Sequence, residues 1–191
     1  MSATALLKKR QTGQYYTEGN PFVLKPFLNW VKKYHLNDLP VLEPFAGANN
    51  IIRALKQIGL ASEFKSFDIH PADLEVSQKD TLASFPTGFE LCITNPPWLA
   101  KNSAKRRGLE YPQTYFDDLY KHSLNLALQN CKYVAAIIPA TFLRSELFRN
   151  RLETVIFLHD QGMFSDTENP VCLALFDGHS DRSLWFVPMV D

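Results

Sequence analysis

The spacing of apolar residues changes character repeatedly along this chain. FLNWVKKY, after Pro26, has helical spacing; LPVLEPF is a short buried strand stopped at Pro44, and NIIRALKQIG is an amphipathic helix closed by Gly59. EFKSFDI alternates as a strand ahead of Pro71, and FELCITN is a strand that runs into Asn95, Pro96, Pro97 and Trp98. YFDDLYKHSLNLALQN predicts a long helix, YVAAIIP an apolar strand ended by Pro139, RSELFRNRLE a short helix and TVIFLHD a further strand. PVCLALFDG and SLWFVPMV predict a terminal pair. Strands alternating with helices predict an α/β fold: a doubly wound, mostly parallel seven-stranded sheet with helices on both faces and a late antiparallel strand. No repeat or linker divides the chain, so one domain over residues 1–191 is expected.

In such sheets ligands bind outside the carboxyl ends of the strands, near the point where strand order reverses. The unusual residues of this sequence stand at those ends: Glu43 with PFAGANN, Asp68, and Asn95 with PPW.

Composition narrows the class without naming the chemistry. A hydrophobic fraction of 46% with 21% charged residues is that of an ordinary globular chain. No stretch approaches the roughly 18 apolar residues of a membrane span, and MSATALLKKR has no secretion-signal pattern, so a cytoplasmic protein with no membrane partner is expected. Cys92, Cys131 and Cys172 lie far apart in apolar segments and read as small core residues. The five histidines show no ligand spacing, and no metal is expected. Twenty basic residues balance twenty acidic ones, so any basic surface is local. KKR at Lys8 to Arg10 and KNSAKRRG at Lys101 to Gly108 qualify, although an isolated cluster reads better as a solvated loop.

The loop EPFAGANN has one clear glycine, Gly47, where a phosphate cradle would want two or three. Taken alone it is as readily an ordinary strand-to-helix turn. With Glu43 able to hold an ammonium and Asp68 able to accept from ribose hydroxyls, the pair describes a nucleoside carrying an amino-acid tail. The quartet is more specific. Two successive prolines stiffen the backbone and leave carbonyls free beside Asn95. The Asn95 side-chain oxygen and the Pro96 carbonyl can then accept both hydrogens of a primary amine and aim its lone pair at an electrophile. Trp98 offers a flat face to a planar ring, a contact worth about 1–3 kcal/mol for a nucleobase. The alternative is a rigid turn with Trp98 as a core aromatic.

These residues resemble those of the S-adenosylmethionine-dependent amino-methyltransferases, above all the DNA adenine-N6 group in its gamma motif order. TNPPW is similar to that group's [DNS]PP[YFW] motif, LEPFAGANN to its cofactor loop, and GQYYTEGN to the motif that precedes that loop. The resemblance implies S-adenosylmethionine as cofactor, with Tyr16, Thr17, Glu43, Ala46 and Gly47 along its methionine end. It implies Asp68 on the ribose, Ile69 against the adenine, Asp80 accepting from the adenine amine, and Asn95 beside the reacting groups. Asn95, Pro96, Pro97 and Trp98 become the catalytic residues, and DQGMFSDTENPVCLALF is similar to the late motif whose aromatic, here Phe164, supports the target base. Ala48 and Asn49 depart from the family, standing where many relatives have a second glycine.

A base amine inside a duplex must be extruded, so the strand is gripped by its phosphates. Lys101, Lys105, Arg106 and Arg107, directly after Trp98, are the expected grip. Relatives carry a large target-recognition domain after the late motif, whereas fourteen residues follow Asp177, so low sequence selectivity or a partner specificity subunit is expected. The expected activity is adenine-N6 methylation of DNA in a prokaryotic cell, by an enzyme of a phage, a mobile element or a restriction-modification system. RNA adenine-N6 or protein glutamine-N5 methylation, and a non-catalytic subunit of the same fold, are the alternatives.

Overall fold

The structure is a computed structural model that describes residues 20–158 and 170–178 and the backbone of residues 185–187. Tyr16, Thr17 and Phe164, and the Lys8–Arg10 cluster, lie outside the described residues.

A short 3-10 turn (Pro21–Val23) leads into α1 (Lys25–Lys33), whose Phe27, Trp30 and Val31 at helical spacing are buried. β1 (Val41–Glu43) and α2 (Asn50–Lys56) follow, then β2 (Phe64–Asp68), β3 (Val76–Gln78) and β4 (Leu91–Thr94). α3 (Lys101–Arg107) and α4 (Leu119–Asn130) separate β4 from β5 (Tyr133–Pro139); β6 (Leu152–Phe157), β7 (Val171–Phe176) and β8 (Trp185–Val187) complete the order.

The eight strands form one sheet in the order β3-β2-β1-β4-β5-β7-β6-β8. β1 pairs in parallel with both β2 and β4, and β4 with β5, whereas β7 runs antiparallel between β5 and β6. The chain walks outward from β1 to β3, returns to β4, and walks the other way. A strand order that runs outward from β1 in both directions is the doubly wound α/β arrangement expected. β4, β5 and β7 are buried along their whole apolar length, as central strands covered on both faces must be. The three cysteines are free and buried in this core. No helix among the described residues is long and apolar enough to cross a membrane.

Four local expectations are corrected. β3 is a strand that the sequence does not announce, because its Ser77 and Gln78 are exposed and carry no apolar signal. KNSAKRRG, read as a loop, is helix α3 with Gly108 as its left-handed C-cap. RSELFRNRLE is not a helix: a 3-10 turn covers Ala140–Arg144, Phe148 takes a positive φ of 64°, and β6 begins at Leu152. The last strand pairs in parallel with β6, so the terminal pair does not form between β7 and β8.

Candidate active site

Strand order reverses between β1 and β4, and the carboxyl ends of these two neighbours carry Glu43 and Thr94. Glu43 is fully buried; its Oε1 accepts from the Thr94 hydroxyl at 2.7 Å and from the Phe45 amide at 2.9 Å. Its Oε2 has no hydrogen-bond partner among the described residues. Burial pushes the Glu43 carboxyl up to about 8, against the two hydrogen bonds, and nearby Asp68 adds to the rise. A carboxyl in that position gains most from a buried cationic partner.

Asp68 ends β2. Its Oδ2 accepts from the Gly47 amide and its Oδ1 from the His70 amide, each at 2.8 Å. Gly47 adopts a φ of 51°, which glycine takes without strain, and its amide thereby turns toward β2. The Ala46 amide donates to the Phe67 carbonyl at 2.9 Å, fixing the loop over the β2 end. Ile69, expected against a purine, is half exposed. Asp80 lies exposed beyond β3, where its Oδ1 accepts from the Leu82 and Ala83 amides and nucleates the next turn.

Asn49 belongs to the site although its place in the sequence marks it only as a departure from a glycine. It takes the left-handed φ of 61° that a glycine would suit, and asparagine is among the few other residues that tolerate it. Its side chain is fully buried, with Oδ1 accepting from the Ser66 hydroxyl at 2.7 Å and Nδ2 unpartnered among the described residues. Ser66 is the register partner of Glu43 across β1 and β2. The loop that departs from a two-glycine pattern therefore gains a side-chain tie to the neighbouring strand, and it leaves a buried donor and a buried acceptor unused.

Asn95 to Trp98 continue β4 beyond Thr94 as irregular chain, with Asn95 half-buried and Pro96 buried. Trp98 is 9% exposed and packs in the main core, and it also walls a cavity of about 410 Å³. Trp98 is thus at once a core aromatic and a cavity wall. The cavity lies over the β4 and β5 ends, with Arg107, Asp118, Tyr120, Pro139 and Thr141 among its other walls. Asp118 caps α4: its Oδ1 accepts from the Tyr120 amide at 3.3 Å and from the Leu99 amide at 3.1 Å. Burial raises its carboxyl above the usual range despite both donors. Backbone bonds from Lys101 to Asp117 and from Leu119 to Leu99 sew the stretch after Trp98 to the start of α4. An aspartate immediately before the apolar repeat of α4 was the available signal for this cap.

The cations after Trp98 are grouped on α3. Lys101, Lys105, Arg106 and Arg107 are exposed, three of them in the last turn, where the helix dipole favours positive charge. Among the described residues no cluster of three or more histidine, cysteine, aspartate or glutamate side chains could hold a metal ion.

No protein-family model matches the sequence, and no curated protein matches it either. The fold is similar to that of a chain from Listeria monocytogenes described as a class I S-adenosylmethionine-dependent methyltransferase, with TM-score 0.60, 16% identity and coverage of 95% of this chain and 68% of that one. It is similar to a modification subunit of a type I restriction enzyme from Vibrio vulnificus, with TM-score 0.61, 15% identity and 97% of this chain covered. This chain spans half the length of that subunit. A third similar structure, described as an RNA methyltransferase from Pyrococcus horikoshii, has TM-score 0.55, 18% identity and coverage of 92% and 95%. The architecture is the Rossmann-like methyltransferase fold.

Proposed function

We propose that this chain transfers a methyl group from S-adenosylmethionine to the N6 amine of adenine in DNA. The observation that carries the reading is the hydrogen bond between Thr94 and Glu43. It locks the strand that delivers Asn95 to an acid whose second oxygen is buried and unused. The two orphaned atoms of the loop fit the amino-acid end of the cofactor: Glu43 Oε2 suits its ammonium and Asn49 Nδ2 its carboxylate. Asp68 stands at the next strand end for the ribose, as in other doubly wound nucleotide sites. Tyr16, Thr17, Ala46, Gly47, Ile69 and Asp80 complete the proposed cofactor set.

When bound, S-adenosylmethionine supplies an electrophilic methyl group on its sulfonium sulfur. The chain's own work is at the amine. Asn95 Oδ1 and the Pro96 carbonyl accept its two hydrogens, draw the nitrogen toward a pyramidal shape and direct its lone pair. The amine lone pair would form the N–C bond as the methyl–sulfur bond breaks with its electron pair left on sulfur. One amine proton would then pass to solvent, so no ionised base is required. The stiff Pro96-Pro97 pair holds the acceptors in place before the substrate arrives, and such preorganisation lowers the barrier.

The cavity beside Trp98 has the size to take an extruded nucleotide, with Phe164 proposed to support the base from another side. Lys101, Lys105, Arg106 and Arg107 would contact the phosphates; such contacts position a strand without specifying its sequence. Sequence choice then falls to other residues or to a partner subunit. The similarity to a modification subunit of a restriction enzyme supports DNA as the acceptor.

The test is incubation with methyl-labelled S-adenosylmethionine and, separately, DNA, RNA and total protein, followed by digestion and identification of the labelled product. Label in N6-methyladenine from DNA is expected. Label confined to RNA or to glutamine would overturn the choice of acceptor, and retained cofactor binding without any label would point to a non-catalytic subunit.

A further inference from the structure

The segment between Trp98 and Asp118 is a small lobe with its own packing. Leu99, Ala104 and Leu119 form a cluster apart from the main core, with Tyr111 and, from outside the segment, Leu82 packed against them. The lobe, residues 99–117, carries four cations against two anions, Glu110 and Asp117. Its outer surface also carries an aromatic that packing does not explain. Tyr115 is 81% exposed, whereas the adjoining Phe116 is buried at 3%. The two rings lie 4.1 Å apart at 33°, so Phe116 holds Tyr115 in place. Phe116 is itself rooted against Phe148 at 6.0 Å. The loop is drawn back onto α3, since Lys101 Nζ donates to the Thr114 carbonyl at 3.3 Å and the Lys101 amide donates to that of Asp117 at 2.8 Å. Asp117 is a wall of the cavity, two residues from Tyr115.

We propose that Tyr115 and the basic helix α3 form a stacking platform for an unpaired stretch of nucleic-acid strand beside the cavity. The inference rests on the nucleic-acid reading above and extends it to a surface that grips strand rather than target base. A tyrosine ring braced on one side by a buried aromatic keeps its outer face for a base, and base stacking on aromatics tolerates any sequence. The exposed cations of α3, the helix to which Lys101 ties the loop, supply contacts for the phosphates of the same strand. A duplex whose adenine has been extruded presents such unpaired bases at the point of opening. The shared chemistry is that of a single strand, DNA or RNA.

Anisotropy titrations of the full chain with labelled single strands of roughly 12 nucleotides test this, with DNA and RNA of the same sequence as separate arms. Tyr115→Ala is expected to weaken binding to the preferred strand roughly tenfold, and Tyr115→Phe to leave it within about twofold. Replacing Lys105 and Arg106 with glutamine is expected to flatten the salt dependence by about 0.7 in slope per lost phosphate contact. Unchanged thermal unfolding of the exposed-site variants confirms that the surface alone was altered. Wild-type protein that binds neither strand, or Tyr115→Ala binding as tightly as wild type, overturns the platform. The two readings fail separately. Tyr115-dependent binding without DNA methylation sinks only the acceptor assignment, and methylation with Tyr115-independent binding sinks only the platform.

Discussion

The β1–β2 end and the β4–β5 end of this sheet are built on different terms. At the first, Glu43, Asn49, Ser66 and Asp68 are all buried and hydrogen-bonded across two strands, and the loop is pinned to them by backbone amides. At the second, a satellite cluster of three buried residues carries an exposed basic helix, a braced tyrosine and a cavity. Under the proposed function, a site for one invariant small molecule can be built into the core, whereas a site for a flexible polymer suits an outlying lobe whose packing is separate. Cofactor binding and acceptor choice should then be separable, and substitutions at each end test whether they are.

The largest effect is expected where the two ends meet. Asn95→Ala removes one of the two acceptors for the substrate amine and should lower turnover by about 10²–10³-fold. Cofactor affinity should stay within a few-fold, as read by equilibrium binding. Turnover at the wild-type level would remove the amide from the mechanism, and equal losses in turnover and cofactor affinity would erase the division between the two ends.

How much of this is legible in the sequence differs between the ends for a physical reason. β1, β2 and β4 are short runs whose proline or acidic terminators mark their carboxyl ends, so residue order alone places Glu43, Asp68 and Asn95 at the binding edge. The ties that make the first site, Thr94 to Glu43 and Ser66 to Asn49, join residues 51 and 17 positions apart, and spacing along a chain does not reveal them. At the other end, α3 buries only Ala104, so the apolar period that announces a helix is missing. RSELFRNRLE misleads in the opposite sense. Its charges and leucines suit a helix, yet the Arg151 guanidinium donates to carbonyls of Leu128, Cys131, Lys132 and Asp177, a tertiary demand that local preference does not register.

An intermediate effect tests the buried acid. Glu43 titrates near 8 in the folded chain and near 4.5 in its ordinary state, so the folded state holds an extra proton across that window. Stability of the ligand-free protein therefore falls as pH rises from about 4.5 and levels off above about 8, by on the order of 3–5 kcal/mol for a shift of this size. In Glu43→Gln that fall should be largely absent, with little difference from wild type near the acid end of the window. The variant should bind cofactor at least tenfold more weakly, because the ammonium loses its anion. Wild-type protein at neutral pH should release close to one proton on binding cofactor, measured calorimetrically in buffers of different ionisation enthalpy. Denaturant midpoints at matched pH decide the stability arm, and parallel pH profiles for the two proteins would sink it.

The smallest effect belongs to the lobe. Asp118 accepts from Tyr120 as the α4 cap and from Leu99 just after the quartet, so its carboxylate ties the lobe to the helix that supports it. Loss of a cap costs about 1 kcal/mol, and the unmet Leu99 amide adds a similar amount, so Asp118→Ala should destabilise the chain by roughly 1–2 kcal/mol. Asp118→Asn keeps an oxygen in the same place and should recover most of that loss. Because the tie reaches the stretch beside Trp98 but not the loop over β1 and β2, Asp118→Ala should raise KM for nucleic acid several-fold and leave cofactor affinity unchanged. Weakened cofactor binding in this variant, measured under conditions where it is fully folded, would show that the two ends move together. The lobe would then be part of the core site rather than an outlying reader of strand.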